Sequence, residues 1–235
     1  MNPELSSMKL SQTFILLLTL FIGLNVSGQE QKVVSDLGLW TEIKLEKKFL
    51  KDFRFNISQH LRLNNNITEF DDYISEIGLI YNINKNFAIG SNGRYSRNKK
   101  YSGLVQNDYR YDLDFRYERK LSERLKFYYR LRYQKKFYGS GVFYREVNYY
   151  ESEVRNRLKL RWELNEKHRF YGSGEIFRLT KKSREPYFNQ YRLWVGDDII
   201  STIGGIDFAF GIEHQLNNSN PYTFYIFKIK YELEL

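Results

Sequence analysis

Apolar and polar residues alternate with a period of two along nearly the whole chain. Between Asn107 and Glu118, Tyr109, Tyr111, Leu113, Phe115 and Tyr117 share one face of an extended strand, while Asp108, Arg110, Asp112, Asp114, Arg116 and Glu118 share the other. Phe53, Phe55, Ile57, Leu61 and Leu63 alternate in the same way with Arg54, Asn56, Ser58, His60, Arg62 and Asn64. This pattern predicts strands at 36–46, 52–64, 70–83, 87–97, 105–119, 124–137, 147–163, 168–180, 187–197, 204–215 and 222–235. Strands of soluble sheets favour roughly 5–6 residues. Tilted strands that cross a bilayer need about 9–11, and these segments reach that length. The prolines at 3, 186 and 221 fall outside them, the last two in loops, where no ladder hydrogen bond is lost.

The connections alternate in length. Glu46 to Lys51, Asn82 to Asn86, Lys120 to Glu123 and Asn165 to Lys167 read as tight turns. Asn65 to Glu69, Asn98 to Leu104, Lys136 to Glu146, Lys181 to Pro186 and Leu216 to Pro221 read as longer loops. Outer-membrane barrels have short periplasmic turns and longer outer loops, so the tight turns are expected on the periplasmic side. Eleven strands then leave the first one starting outside, against the usual even count with both ends inside. The expectation is therefore an all-β, antiparallel, up-and-down transmembrane β-barrel of twelve strands, with ten as the alternative, or else a return of residues 29–35 through the lumen.

The amino terminus adds an address. Met8-Lys9 precedes an apolar run from Phe14 to Leu24, and Val26-Ser27-Gly28 then leads into Gln29-Glu30-Gln31, the n, h and c regions of a signal peptide. The run is too short for a spanning helix, which needs roughly 20 apolar residues. Residues 1–28 are thus read as a cleaved Sec leader with its true start at Met8, and 29–235 as one barrel domain in a Gram-negative outer membrane. With no cysteine in the chain, lipid attachment through a thioether, disulfides and thiolate metal sites are excluded.

Alternation alone does not say which face is inside, since a lipocalin-like soluble carrier obeys the same period with its apolar face inward. The leader, the strand length and the bulk of Tyr129, Tyr133, Trp162, Tyr191, Tyr225, Phe227 and Tyr231 favour an apolar face toward lipid, with aromatic girdles at its interfaces. The charged face then lines the lumen. Its expected members are Arg54, His60, Arg62, Arg110, Asp112, Asp114, Arg116, Arg130, Arg132, Glu151, Glu153, Arg155 and Arg157, with opposite charges on neighbouring strands at pairing distance. In so narrow a barrel these side chains bridge much of the bore. The formal net charge of +9, unchanged by loss of Glu4 and Lys9 with the leader, is expected to balance carboxylates inside and lipid phosphates at the rim, with attraction of anions by field focusing as the alternative. Basic residues at alternating positions rather than in a patch argue against nucleic acid.

Catalytic signals are weak. His60, His168 and His214 are dispersed, and no H-x-x-x-H, H-E-x-x-H or calcium-loop spacing occurs, so no metal or cofactor is expected. There is no G-x-S-x-G; Ser173 lies in Tyr171-Gly172-Ser173-Gly174-Glu175, and no serine is paired by spacing with His214. Gly139-Ser140-Gly141, between Phe137-Tyr138 and Phe143-Tyr144, forms an aromatic loop hinged by glycine, which reads equally as a partner site or a mobile tip.

The leader, the segment D-L-G-L-W-T-E-I-K-L at Asp36 to Leu45, the N-K-N and N-E-K turns between Tyr- and Arg-rich strands, and the carboxyl-terminal strand together resemble a Bacteroidota family known only as domain of unknown function 2490. The resemblance implies an outer-membrane-type barrel and supplies no active-site residues. The last strand also resembles the signal read by the barrel-insertion machinery, with Tyr231, Leu233 and Leu235 on its lipid side. The expected role is a non-enzymatic narrow channel or structural component of the envelope, in contact with outer-membrane lipid, lipopolysaccharide and envelope proteins. An outer-membrane lipid-modifying enzyme and a soluble periplasmic carrier barrel are the alternatives.

Overall fold

A computed structural model describes residues 34–99, 105–139, 150–181 and 184–235. Eleven strands form one closed sheet: β1 (Val34–Leu50), β2 (Phe53–Asn64), β3 (Glu69–Asn82), β4 (Phe87–Lys99), β5 (Val105–Lys120), β6 (Leu125–Gly139), β7 (Tyr150–Glu163), β8 (His168–Lys181), β9 (Arg184–Ser201), β10 (Gly204–Gln215) and β11 (Tyr222–Glu234). Each strand read from the alternation has its counterpart here. The leader, residues 29–33 and most of the Phe137 to Glu146 loop lie outside the described residues.

The count corrects the expectation of twelve or ten strands. Sequence neighbours pair antiparallel, and β1 closes the ring against β11 in parallel, from Val34 opposite Tyr222 to Glu46 opposite Glu234. An even count is required only when every neighbouring pair is antiparallel; one parallel seam accommodates an odd number. Val34 and Ser35 belong to this seam, so they do not thread the lumen. The amino end of β1 therefore lies with the long loops, at the opposite end from the carboxyl terminus.

Asp36 holds the seam at that end. Its carboxylate accepts hydrogen bonds from the backbone N–H groups of Asn65 (2.9 Å) and Asn66 (2.7 Å) and from the Tyr222 hydroxyl (2.8 Å), joining β1 to the β2–β3 loop and to β11. The loop needs this support, because Asn65, Asn66 and Ile67 all have left-handed backbones, with φ of 48°, 57° and 68°. That conformation is tolerated by Asn but costly for a β-branched residue.

Three connections differ from the sequence reading. β1 runs on to Leu50, through most of the turn expected at Glu46 to Lys51. β9 begins before Pro186, expected in a loop. Pro186 lies within a register irregularity, between the Lys181–Arg184 and Leu179–Tyr187 pairs, the kind of position that tolerates a residue without an N–H. At the other end β9 runs on to Ser201, leaving only Thr202-Ile203 as its turn into β10.

The pleat sorts the two faces sharply. On β5, Tyr109 and Leu113 are 57% and 53% exposed, whereas Asp112 is 0% exposed and Asp114 3%. Aromatic, aliphatic and occasional polar side chains cover the outside, and most of the charge is inside. The interior is itself divided. On β8 to β11, Tyr171, Trp194, Ala209, Phe224 and Ile226 form an apolar cluster packed by Trp40 and Tyr222. Glycines make room for these rings: a Cβ on Gly38 would lie 2.1 Å from the Phe224 ring, and one on Gly211 2.4 Å from that of Trp194. On β3 to β7 the interior is predominantly ionic.

Candidate functional site

The ionic wall grows from the R-Y-D-L-D-F-R segment of β5. Alternation places Arg110, Asp112, Asp114 and Arg116 on one face, and antiparallel pairing puts Arg132 of β6 opposite Asp114. The Arg132 guanidinium spans both carboxylates, with Nε 2.6 Å and Nη2 2.8 Å from the two Asp114 oxygens and Nη1 2.8 Å from Asp112. Arg110 donates to Asp112 at 2.8 Å and Arg116 to Asp114 at 2.7 Å. Arg94 of β4 and Glu76 of β3 extend the chain, with Arg94 Nε 2.7 Å from the Glu76 carboxylate. Charges taken this far from water persist only when paired and hydrogen-bonded.

A second network crosses β6 to β9. Glu175 accepts from Arg130 at 2.7 Å and from Arg155 at 3.0 and 2.8 Å. Arg155 also reaches Gln134, which donates to Glu153 at 2.6 Å, and Asn189 donates to the same carboxylate at 3.1 Å. Lys159 is 3.1 Å from Asp198, and Arg192 forms a short ion pair with Glu213.

Within this frame lies a cavity of about 790 Å³. Its lining includes Asn84, Lys85 and Asn86 of the β3–β4 turn, so it extends to the tight-turn end of the barrel. It carries seventeen lysines and arginines against eight carboxylates, which sets the sign of its field.

Of the residues expected in the lumen, Arg54, His60, Arg62, Arg110, Arg116, Arg130, Arg132, Arg155 and Arg157 line this cavity. Asp112 and Asp114 are buried against their arginines instead. Glu151 and Glu153 do not line it: Glu151 accepts from Tyr138 at 2.5 Å and pairs with Lys181 at 2.7 Å, and Glu153 belongs to the Gln134 and Asn189 network.

Toward the loop end the cavity reaches Trp40, Arg62, Arg192 and Trp194. The Arg62 guanidinium stacks 3.9 Å from the Trp40 ring centre, and Arg192, three strands away through the seam, lies 4.9 Å from it. Trp194 packs against the same indole at 5.8 Å. Arg155 and Arg192 also lie over the Phe177 ring, at 4.3 and 5.1 Å. Stacking on an aromatic face is a favourable place for a guanidinium without a second carboxylate.

The sequence reading omits Trp40, Glu76, Arg94, Phe177, Arg192 and Trp194 from the interior. Parity within their strands is the signal for them. Glu76 shares a face with Asp72, and Trp40 shares one with Glu42 and Lys44, each alternating with apolar neighbours.

The histidines stay apart. His60 contacts Ser58, His168 contacts Asp197, and His214 contacts Thr223 on the outer face. Among the described residues, no three of His, Asp or Glu converge as a metal site. The Ser173 hydroxyl accepts from Arg157 at 3.4 Å.

Arg157 is the least compensated member of the wall. It faces Arg130 on β6 and Glu175 on β8, but the Glu175 carboxylate is taken by Arg130 and Arg155, and Ser173 is its hydrogen-bond partner. Like charges opposite one another are destabilising by about 0.2–1 kcal/mol. Arg157→Gln is therefore expected to raise stability by about that amount, read as a higher urea midpoint in detergent.

A closed sheet with charge inside, aromatic residues outside and a basic cavity reaching one end defines an inside-out β-barrel. The chain belongs to a family of proteins of unknown function, DUF2490, whose sequence pattern covers residues 37–224. That span runs from β1 into β11, so the barrel itself carries the family pattern. No curated protein and no solved structure matches the chain.

Proposed function

We propose that this protein is an integral β-barrel of a Gram-negative outer membrane, delivered by its amino-terminal leader, whose interior is a constricted, anion-favouring passage rather than a wide pore. The sorting of the two faces carries this reading. An exterior dominated by aromatic and aliphatic side chains around a closed ladder suits lipid, where every backbone polar group must be satisfied within the sheet. The excess of arginine and lysine around the cavity favours anions, and the Trp40 stack with Arg62 and Arg192 limits passage toward the loop end.

Expression of the full chain with its leader tests the location. The folded protein should fractionate with the outer membrane and migrate faster on gels before boiling than after. Recovery as a soluble periplasmic species would refute the reading.

Conduction is tested in planar bilayers. The protein is expected to give small, anion-selective events, and Trp40→Ala to enlarge them severalfold by opening the stack. Large unselective currents from the unaltered protein would contradict a constricted passage.

A further inference from the structure

We infer that the cavity holds a phosphoryl-binding site formed by Arg116, Arg130 and Arg157. The inference rests on the proposed reading of the interior as an anion-accessible space, and it adds a specific ligand chemistry.

Arg116, Arg130 and Arg157 are directly opposite one another on β5, β6 and β7. Adjacent strands are about 4.8 Å apart, so three guanidiniums are gathered within roughly 10 Å on one inner wall. A sheet ordinarily avoids such a row. The carboxylates within reach are already divided: Asp114 serves Arg116 and Arg132, and Glu175 serves Arg130 and Arg155. Arg157 has the Ser173 hydroxyl.

An independent observation concerns the donors. The Nε–H groups of Arg130 and Arg157, register partners on β6 and β7, are buried without a hydrogen-bond partner, a condition shared along the cavity by Arg54, Arg110 and Arg161. Leaving a buried donor unmade is costly, and more so in a charged group. Two orphaned donors on directly opposed positions, beside Arg116 in the same row, are a preformed demand for acceptor oxygens. A phosphoryl group meets it, because its tetrahedral oxygens accept bidentate donation from several planar forks at once. Chloride offers a single centre and a lone carboxylate fewer oxygens. The opening toward Asn84, Lys85 and Asn86 gives the ligand its route, and Ser173 supplies a neutral donor beside Arg157.

The test titrates inorganic phosphate against the full-length protein in neutral detergent by calorimetry, with heat-shifted gel migration confirming that each variant is folded. The unaltered barrel should show one saturable site. Arg130→Gln with Arg157→Gln should weaken it by about tenfold or more, the loss of at least one charge-assisted hydrogen bond. The double variant should fold, because Glu175 keeps Arg155 and Arg157 has no carboxylate to abandon. Arg157→Lys, which keeps the charge but removes the fork, should give an intermediate loss. Arg54→Gln changes a cavity arginine held by Glu46 on β1 and should leave the affinity within about twofold.

Absence of saturable binding by the folded protein would overturn the inference. So would equal weakening by Arg54→Gln and the double variant, the signature of diffuse accumulation. Glycerol phosphate run in parallel separates the sources: tighter binding than inorganic phosphate points to a lipid or sugar phosphate monoester, and weaker binding to the free ion. The titration needs neither a bilayer nor conduction, so a silent bilayer experiment and a failed titration remain distinguishable.

Discussion

Asp114→Ala is expected to destabilise the barrel by about 3–5 kcal/mol, the cost of leaving a buried guanidinium without its partner. Both Asp114 oxygens are engaged by Arg132, and Arg116 shares one of them. The side chains of Asp112 and Asp114 are 0% exposed and that of Arg132 7%. Removal of the carboxylate leaves Arg132 with Asp112 alone, an oxygen it already shares with Arg110. Water cannot compensate fully, because the strand backbone and neighbouring arginines occupy the space around it. Urea unfolding followed by tryptophan fluorescence reads the change as a lower midpoint, with little alteration of slope. Arg132→Met combined with Asp114→Ala should recover more than half of the loss, since removing both charges abolishes the desolvation demand along with the attraction. A loss below ~1 kcal/mol for the single change would show that these ions are solvated through the cavity, contrary to the geometry.

The contrast between this pair and Arg157 shows what alternation can reveal. On β5 and β6 every inward position but Tyr128 and Tyr138 is charged or carries an amide, so period two alone assigns Arg110, Asp112, Asp114, Arg116, Arg130 and Arg132 to a common side. Which carboxylate serves which arginine depends on register, and register depends on turns and closure that one strand does not encode. Glu175 illustrates the point. It stands opposite Arg157 in the ladder yet binds Arg130 and Arg155.

The far wall is less legible in the sequence for a different reason. β8 to β11 carry Tyr171, Phe177, Trp194, Phe224 and Ile226 inside and Phe170, Leu193, Phe208 and Phe227 outside. With apolar residues on both faces, polarity contrast fades and the interior aromatics are indistinguishable from those outside. The glycines at 38 and 211 are the local clue to them, each lying under a ring, Phe224 and Trp194, that a Cβ would displace. The strand number departs from a general rule rather than from these residues. The alternation contains eleven segments, and the rule of even counts does not apply to them because it presumes that no neighbouring pair is parallel.

That seam yields the other large expected effect. Ile43 of β1 and Tyr231 of β11 are register partners on the outer face. In a parallel pair their Cα atoms lie about 4.8 Å apart, within the roughly 4.4–6.8 Å range a disulfide accepts. Because the chain has no cysteine, Ile43→Cys with Tyr231→Cys creates one possible intramolecular bond. It closes a loop of nearly the whole barrel, for which chain entropy allows stabilisation of up to about 5 kcal/mol. The oxidised variant should form quantitatively, resist boiling in detergent until reduced, and unfold at a markedly higher urea concentration. Ile43→Cys with Phe227→Cys, four residues out of register along β11, should stay reduced in the folded protein. An inserted twelfth strand would separate β1 from β11 and abolish the first bond, so failure of Ile43 and Tyr231 to cross-link in folded protein would break the eleven-stranded closure. Success would fix the parallel seam that Asp36 and Tyr222 hold at the loop end, and with it the placement of Trp40 beside Trp194 inside the ring.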